Sequence, residues 1–196
     1  SGSGGSASYT YESTSIPAGF NSTDQSPSVT AIESATFIVA INDGELIMTD
    51  SVHITVFENP SVVLGADTTL CDQVSYSLDA GNPGASYLWS TGETTQIITA
   101  SGDGQNTYWV EVTNENECSA SDTIVVNFAT SPTVELEADT VICHNTSIML
   151  DAGNTGSSYL WSTGETTKTI NVNGEDYDYG DYEFSVQVTN ENGCES

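Results

Sequence analysis

Apolar and polar residues alternate in short runs along this chain. Val74, Tyr76 and Leu78 form one such run, Tyr87 and Trp89 a second, Tyr108, Val110 and Val112 a third, and Ile124, Val126 and Phe128 a fourth. A period of two predicts strands with one face turned to a core. Between the runs stand Asp-Ala-Gly-Asn, Ser-Thr-Gly-Glu, Ser-Gly-Asp-Gly and Asn-Glu-Asn-Glu, residues that accept positive φ or bond their own backbone in turns. Nowhere do apolar residues recur at helical spacing over three turns. The pattern predicts an all-β chain of short strands arranged as two-sheet sandwiches.

The pattern also repeats. Residues 78–95 read LDAGNPGASYLWSTGETT and residues 150–167 read LDAGNTGSSYLWSTGETT, an offset of 72 residues that also carries Pro60 onto Pro132, Asp67 onto Asp139 and Cys71 onto Cys143. Self-similarity at a fixed period makes each copy one structural unit. Pro-marked junctions then divide the chain into modules at 1–60, 61–131 and 132–196. The first copy is diverged: Tyr9 and Tyr11 stand for Tyr87 and Trp89, while Phe37, Val39 and Ile41 stand for Tyr108, Val110 and Val112. It holds no cysteine, has Leu46 near the place of Cys118, and lacks the first strands of the repeat, so its core is expected to hold without a bridge. The third copy stops before the strand that would match 122–128, so the first and last modules are expected to be incomplete. Residues 1–8, SGSGGSAS, read as a flexible Gly/Ser segment. No signal peptide is evident, and the whole reads as a piece of a longer array or as a set of sandwiches completed by neighbouring chains.

Charge narrows the partners. With 28 acidic residues against one basic residue, Lys168, the net charge is −27. Such a surface repels nucleic acid and anionic membranes, whose phosphates are read by Lys and Arg. No run approaches the length of a membrane span. Acidity can signal disorder, but the β-branched and aromatic runs argue for folded β structure. The four cysteines fall two per repeat, and the repeat favours local bridges, Cys71 with Cys118 and Cys143 with Cys194. Zinc is disfavoured, since no close Cys pair exists and His53 and His144 lie far apart. Disulfides imply an oxidising, extracytoplasmic setting.

Candidate chemistry is sparse. Tyr87, Trp89, Tyr159 and Trp161 could form a carbohydrate-stacking platform, but identical placement in successive copies favours core anchors packed near a disulfide. Trp109 alternates with the core set and is expected to face outward. The loop holding Glu175, Asp176, Asp178 and Asp181 is a weak calcium candidate without the spacing of a known calcium loop, and a solvated acidic loop is favoured. No other cofactor is indicated. No Ser/His/Asp set emerges around His53 or His144, and only Lys168 could form a Lys–Asn isopeptide staple. The chain is not expected to be an enzyme.

The motifs Leu-x-x-Asp-Thr…Cys, LDAG, YLWSTGETT and Tyr/Phe-x-Val-x-Val-Thr-Asn followed by Cys resemble the PKD-like, immunoglobulin-like repeats of very large surface proteins from Bacteroidetes. These include gliding-motility adhesins exported by the type IX secretion system. The resemblance covers 61–196 closely and the first copy loosely. It implies tandem immunoglobulin-like sandwiches in a secreted, cell-surface stalk that presents a distal binding region. Its partners would be other modules of the same chain, surface polysaccharide or neighbouring chains. The same modules also occur as spacers in secreted hydrolases. Bacteroidetes attach O-glycans at Asp-(Ser/Thr)-hydrophobic or Asp-(Ser/Thr)-Thr triplets, which makes Ser51, Thr68, Thr123 and Thr140 candidate glycosylation sites. The competing reading is that Asp-Thr merely opens strands in an acidic, Thr-rich chain.

Overall fold

The computed structural model describes residues 9–196, so the Gly/Ser segment 1–8 lies outside the described residues. The fold is all-β, and immunoglobulin-like sandwich modules stand in tandem along 61–196. The chain divides into two compact units, 1–60 with 113–119 and 61–112 with 120–196.

The first unit is one sheet. Strands β1 (Thr10–Ile16), β2 (Asn21–Ser22), β3 (Ala35–Asn42) and β4 (Ile47–Ile54) lie in the order β2-β1-β3-β4. β3 pairs antiparallel with β1 through Val39 opposite Ser13, and with β4 through Val39 opposite Asp50. No second sheet closes over it among the described residues, and the expected core does not form there. Only Ala35, Ser13 and Ser15 are buried, every residue of β4 is exposed, and Phe20, Phe37, Val39, Val52 and Ile54 line an open groove of about 260 Å³. The alternation along β3 and β4 is that of a sandwich strand, but one sheet cannot exclude water from both faces.

The second unit holds two separate cores. The first of them lies between a four-stranded sheet and a two-stranded one. The larger sheet has the order β5 (Thr68–Cys71), β10 (Ser119–Ala129), β9 (Gly104–Thr113), β7 (Ser86–Trp89), and facing it are β6 (Ser75–Asp79) and β8 (Ile97–Ser101). Alternate residues turn inward as the period of two requires: Tyr108, Val110 and Val112 from β9, Ile124, Val126 and Phe128 from β10, with Leu78, Ile98 and Ala100 opposite. Val74 does not join them. It precedes β6 and is 81% exposed, because the chain is still turning out of β5 at that point. The second core repeats the plan with β11 (Ser147–Asp151) paired to β13 (Thr169–Asn173), and β12 (Ser158–Trp161) paired to β14 (Val186–Thr189). Ala152, Trp161, Ile170, Val172 and Val188 are buried there.

The turns repeat as closely as the strands. Asn82 and Asn154 both adopt positive φ, 52° and 46°, which an Asn tolerates better than most residues. Their side-chain amides donate to the carbonyls of Ser61 and Thr133, clasping the start of each copy. Gly174 opens a 3-10 turn (Gly174–Asp176), and backbone crowding demands glycine there, since a Cβ would stand 2.5 Å from the Cys143 carbonyl oxygen.

Candidate functional site

What distinguishes this chain from a row of independent sandwiches lies between the two cores of the second unit. β5 runs parallel to β10, with Thr68 opposite Val126 and Cys71 opposite Ala129. Four residues of parallel pairing are weak alone, and carboxylates fix both ends. Asp122 Oδ2 accepts the Leu64 N–H at 2.8 Å, and Asp67 Oδ1 accepts the Val125 N–H at 2.9 Å. At the far end the Asp72 N–H donates to the Ala129 carbonyl at 2.8 Å, and the Ser131 N–H donates to Asp72 Oδ1 at 2.9 Å. The Ser131 hydroxyl, and after it the Ser131 N–H, hold the Asp72 carboxyl below its ordinary value. Cys71 is thereby delivered to the end of the module, beside the linker into the third copy.

There Cys71 is bonded to Cys194, 123 positions on, with 5.6 Å between the Cα atoms. Cys194 closes the turn after β14. Asn190 organises that turn: its Oδ1 accepts the N–H groups of Asn192 and Cys194, each at 3.0 Å, and its Nδ2 donates to the Thr130 carbonyl at 2.8 Å. Asn127 Nδ2 donates to Asn192 Oδ1 at 3.1 Å. One covalent bond to β5 and two side-chain hydrogen bonds, to β10 and the linker, therefore tie the third copy's turn to the second copy. Beside them Asp67, Thr69, Gln105, Asn127 and Asn192 line a polar groove of about 340 Å³.

This overturns the expected local bridges, Cys71 with Cys118 and Cys143 with Cys194. Cys118 directly precedes β10, and Cys71 lies opposite the strand's last residue, Ala129. The strand between them spans about 35 Å at ~3.3 Å per residue, whereas a disulfide needs Cα atoms within about 7 Å. In the third copy Cys143 packs by Gly174 at the end of β13, while Cys194 sits at the turn after β14, the opposite end of the sandwich. Cys118 is half-buried and Cys143 exposed, and neither is in a disulfide. The turn holding Cys118 nevertheless copies that of Cys194. Asn114 Oδ1 accepts the N–H groups of Asn116 and Cys118 at 3.0 Å, and Asn114 Nδ2 donates to the Glu58 carbonyl at 2.9 Å, all within the first unit.

The aromatic candidates lie in the cores. Trp89 and Trp161 are 1% and 2% exposed, and their indole N–H groups donate to the carbonyls of Thr95 and Thr167, each at 2.8 Å. Tyr87 is buried and Tyr159 half-buried, with their hydroxyls donating to the carbonyls of Asn82 and Asn154 at 2.6 Å. The disulfide joins β5 of the second copy to the turn after β14 of the third, so it is not an inter-sheet bridge within one core. Trp109 faces outward, 41% exposed.

The acidic loop is not gathered into a cation site. Tyr177 packs tilted against Tyr182 and edge-on against Phe184, while Asp176, Asp178 and Asp181 are exposed, with Asp176 accepting a hydrogen bond from Asn173. Among the described residues no three His, Cys, Asp or Glu side chains assemble to hold a metal. His53 shares a hydrogen bond with Thr36, and His144 packs near Tyr179. Lys168 Nζ lies 3.3 Å from Asp151 Oδ2, an exposed ion pair at the place where Gln96 bonds Asp79 in the preceding copy. Of the glycosylation candidates, Ser51, Thr123 and Thr140 are exposed and Thr68 is half-buried. Asp67 and Asp122, which open two of those triplets, already serve as backbone caps across β5 and β10, a role that needs partners 58 residues away and leaves no local sequence mark. No helix among the described residues is long and apolar enough to cross a membrane.

No protein-family model matches the chain, and no curated protein sequence is similar to it. Solved structures similar to it in fold include runs of immunoglobulin-like domains. Extracellular domains 3–5 of Drosophila OTK match with a TM-score of 0.48 and 11% identity, over 94% of this chain and 82% of that one. The I-band fragment I67–I69 of titin matches with a TM-score of 0.39 and 12% identity, over 97% and 87% of the two chains.

Proposed function

We propose that this chain is a non-catalytic stalk segment of a secreted bacterial cell-surface adhesin, serving adhesion or gliding motility by spacing and presenting a distal binding region. In this reading the modules are 1–60, 61–131 and 132–196, and the source is a type IX-secreted surface protein of the Bacteroidetes kind that the repeat motifs resemble. The observation that supports it is the Cys71–Cys194 bridge, which stiffens a junction rather than a core. A spacer transmits length only if its joints resist bending, and a covalent tie beside a Pro-marked linker does this without any active chemistry. The net charge of −27 keeps such segments soluble and apart.

The test is the stiffness of that joint. Fluorophores attached through unnatural residues at Ser77 and Thr163, both exposed, report the distance between the two cores. Reducing the bridge in the full chain is expected to broaden a narrow distance distribution; equal widths before and after reduction would contradict a stiffening role. Ser51, Thr68, Thr123 and Thr140 are proposed as O-glycan attachment points, and protein from its native host is expected to exceed its sequence mass by whole hexose units. An intact mass equal to that of the bare chain would remove this part of the proposal.

A further inference from the structure

Trp109 is a tryptophan that the fold does not use. It stands on β9 in phase with Gln105, Thr107 and Glu111, all exposed, on the outward face of the four-stranded sheet. Tyr108, Val110 and Val112 fill the core from the other face of the same strand. The repeat makes the same point, since Ile38 and Ser185 stand at its place in the other two copies. The enclosed indoles of Trp89 and Trp161 both donate to carbonyls, whereas the Trp109 indole N–H has no partner among the described residues. A half-exposed indole of this kind offers a ligand one apolar face and one donor. Leu88, 49% exposed on the neighbouring β7, faces the same way.

This sheet face runs into the polar groove beside the junction. Four residues along β9 from Trp109, about 13 Å at ~3.3 Å per residue, Gln105 lines that groove with Thr69, Asn127 and Asn192. The Gln105 side-chain amide makes no hydrogen bond among the described residues. Asn127 and Asn192 use one donor and one acceptor on each other, which leaves Asn127 Oδ1 and Asn192 Nδ2 open. Asp67 also lines the groove, but its Oδ1 caps the Val125 N–H. An aromatic surface thus stands at one end of the face and neutral amides at the other, in line with the strand. An apolar surface with a few placed polar groups is the make-up of a ligand site.

We propose that the outward face of β9, from Trp109 to the groove at Gln105, binds a neutral oligosaccharide with a straight, β-1,4-linked backbone. The proposal goes beyond the stalk reading, since it gives this segment a ligand of its own and does not depend on the stiffness of the joint. A sugar ring is apolar on its C–H faces and carries hydroxyls around its edge. The indole covers a C–H face, and the amides pair with hydroxyls that both donate and accept. The separation of the two ends exceeds one ring, so the ligand is an oligosaccharide. A strand is straight over that span, which fits an extended β-1,4 chain and not a coiled α-1,4 chain. Uronic-acid and sulfated chains are repelled by the net charge of −27.

Trp109 supplies the readout. Trp89 and Trp161 are almost fully enclosed, so the fluorescence that acrylamide quenches is that of Trp109. The full chain, with Cys71–Cys194 formed, is titrated with cellohexaose, xylohexaose and mannohexaose, and with maltohexaose, hexagalacturonate and decaproline for comparison. Saturable protection from acrylamide by at least one of the β-1,4 hexasaccharides, and by none of the other three, is the expected result. For that sugar, calorimetry is expected to show W109A weakening binding by at least about tenfold, the weight of an aromatic anchor. Q105A is expected to weaken it by about threefold, the weight of one neutral hydrogen bond. Both variants should keep the parent's unfolding midpoint, since neither side chain belongs to a core. No protection at millimolar sugar, equal protection by maltohexaose, hexagalacturonate or decaproline, or binding unchanged in W109A or Q105A each overturn the proposal.

Discussion

Cys71→Ser is expected to lower the stability of the 61–196 region by about 3–5 kcal/mol, the chain-entropy value for a loop closed over more than a hundred residues. Cys194→Ser should cost the same, and the double variant no more than either single one, because both remove one bond. Cys118→Ser and Cys143→Ser should leave the unfolding midpoint within about 0.5 kcal/mol of the parent, the range for surface changes away from structural features. Urea titrations followed by Trp fluorescence check all four. Local bridges would give the opposite ranking for Cys118, whose loss would then cost as much as that of Cys71. A second consequence concerns cooperativity. With the bridge formed, the two cores restrain one another; without it, each should unfold at its own midpoint.

Trp89→Ala and Trp161→Ala are each expected to cost about 3–5 kcal/mol, the range for emptying a buried Trp site. Both indoles are almost fully enclosed, and both donate to a carbonyl that the alanine would leave without its partner. The absolute loss is similar in the two cores, but the outcomes should differ. Trp161 packs with Ala152, Ile170, Val172 and Val188, whereas Trp89 sits in a core that also includes Tyr108, Val110, Ile124, Val126 and Phe128. Small domains have only ~5–15 kcal/mol to lose. Trp161→Ala should therefore leave the third copy largely unfolded at ambient temperature, while Trp89→Ala leaves the second folded but weakened. Each variant retains the other copy's Trp as a reporter. Equal, small shifts in both would mean that the rings are packing surface rather than anchors.

Strand positions were legible because a strand buried on one face writes its geometry into every second residue. Tyr108, Val110 and Val112, then Ile124, Val126 and Phe128, are buried as their alternation requires. The same alternation in the first copy, at Phe37, Val39 and Ile41, led to the expectation of a core that is not there. Periodicity reports which face a strand would bury, not whether a second sheet is present to bury it. Val74 shows the smaller version of the limit, an apolar residue in phase with its run but one position before the strand.

The junction was not legible, and the reason is strand direction. A repeat of two cysteines per copy is equally periodic whether each bridge stays within a copy or steps to the next. Only the parallel pairing of β5 with β10 separates the two, because it carries Cys71 away from Cys118 along the length of a strand. Nothing in Thr-Thr-Leu-Cys announces that direction. The caps that hold it, Asp67 to Val125 and Asp72 to Ser131, join residues 58 and 59 positions apart. Read along the chain, Asp67 looked like the start of a glycosylation triplet, and nothing marked Asp72. Asn114 was visible in the Asn-Glu-Asn-Glu turn, but its grip on Glu58, like that of Asn190 on Thr130, appears only once the chain has folded.

The most direct test of the account is disulfide mapping of the monomer, by mass spectrometry of peptides cut under non-reducing conditions with the free thiols alkylated. A Cys71–Cys194 peptide pair, with Cys118 and Cys143 both alkylated, is the predicted result. Recovery of Cys71 joined to Cys118, or of Cys143 joined to Cys194, would contradict the bridged junction and every stiffness argument that rests on it.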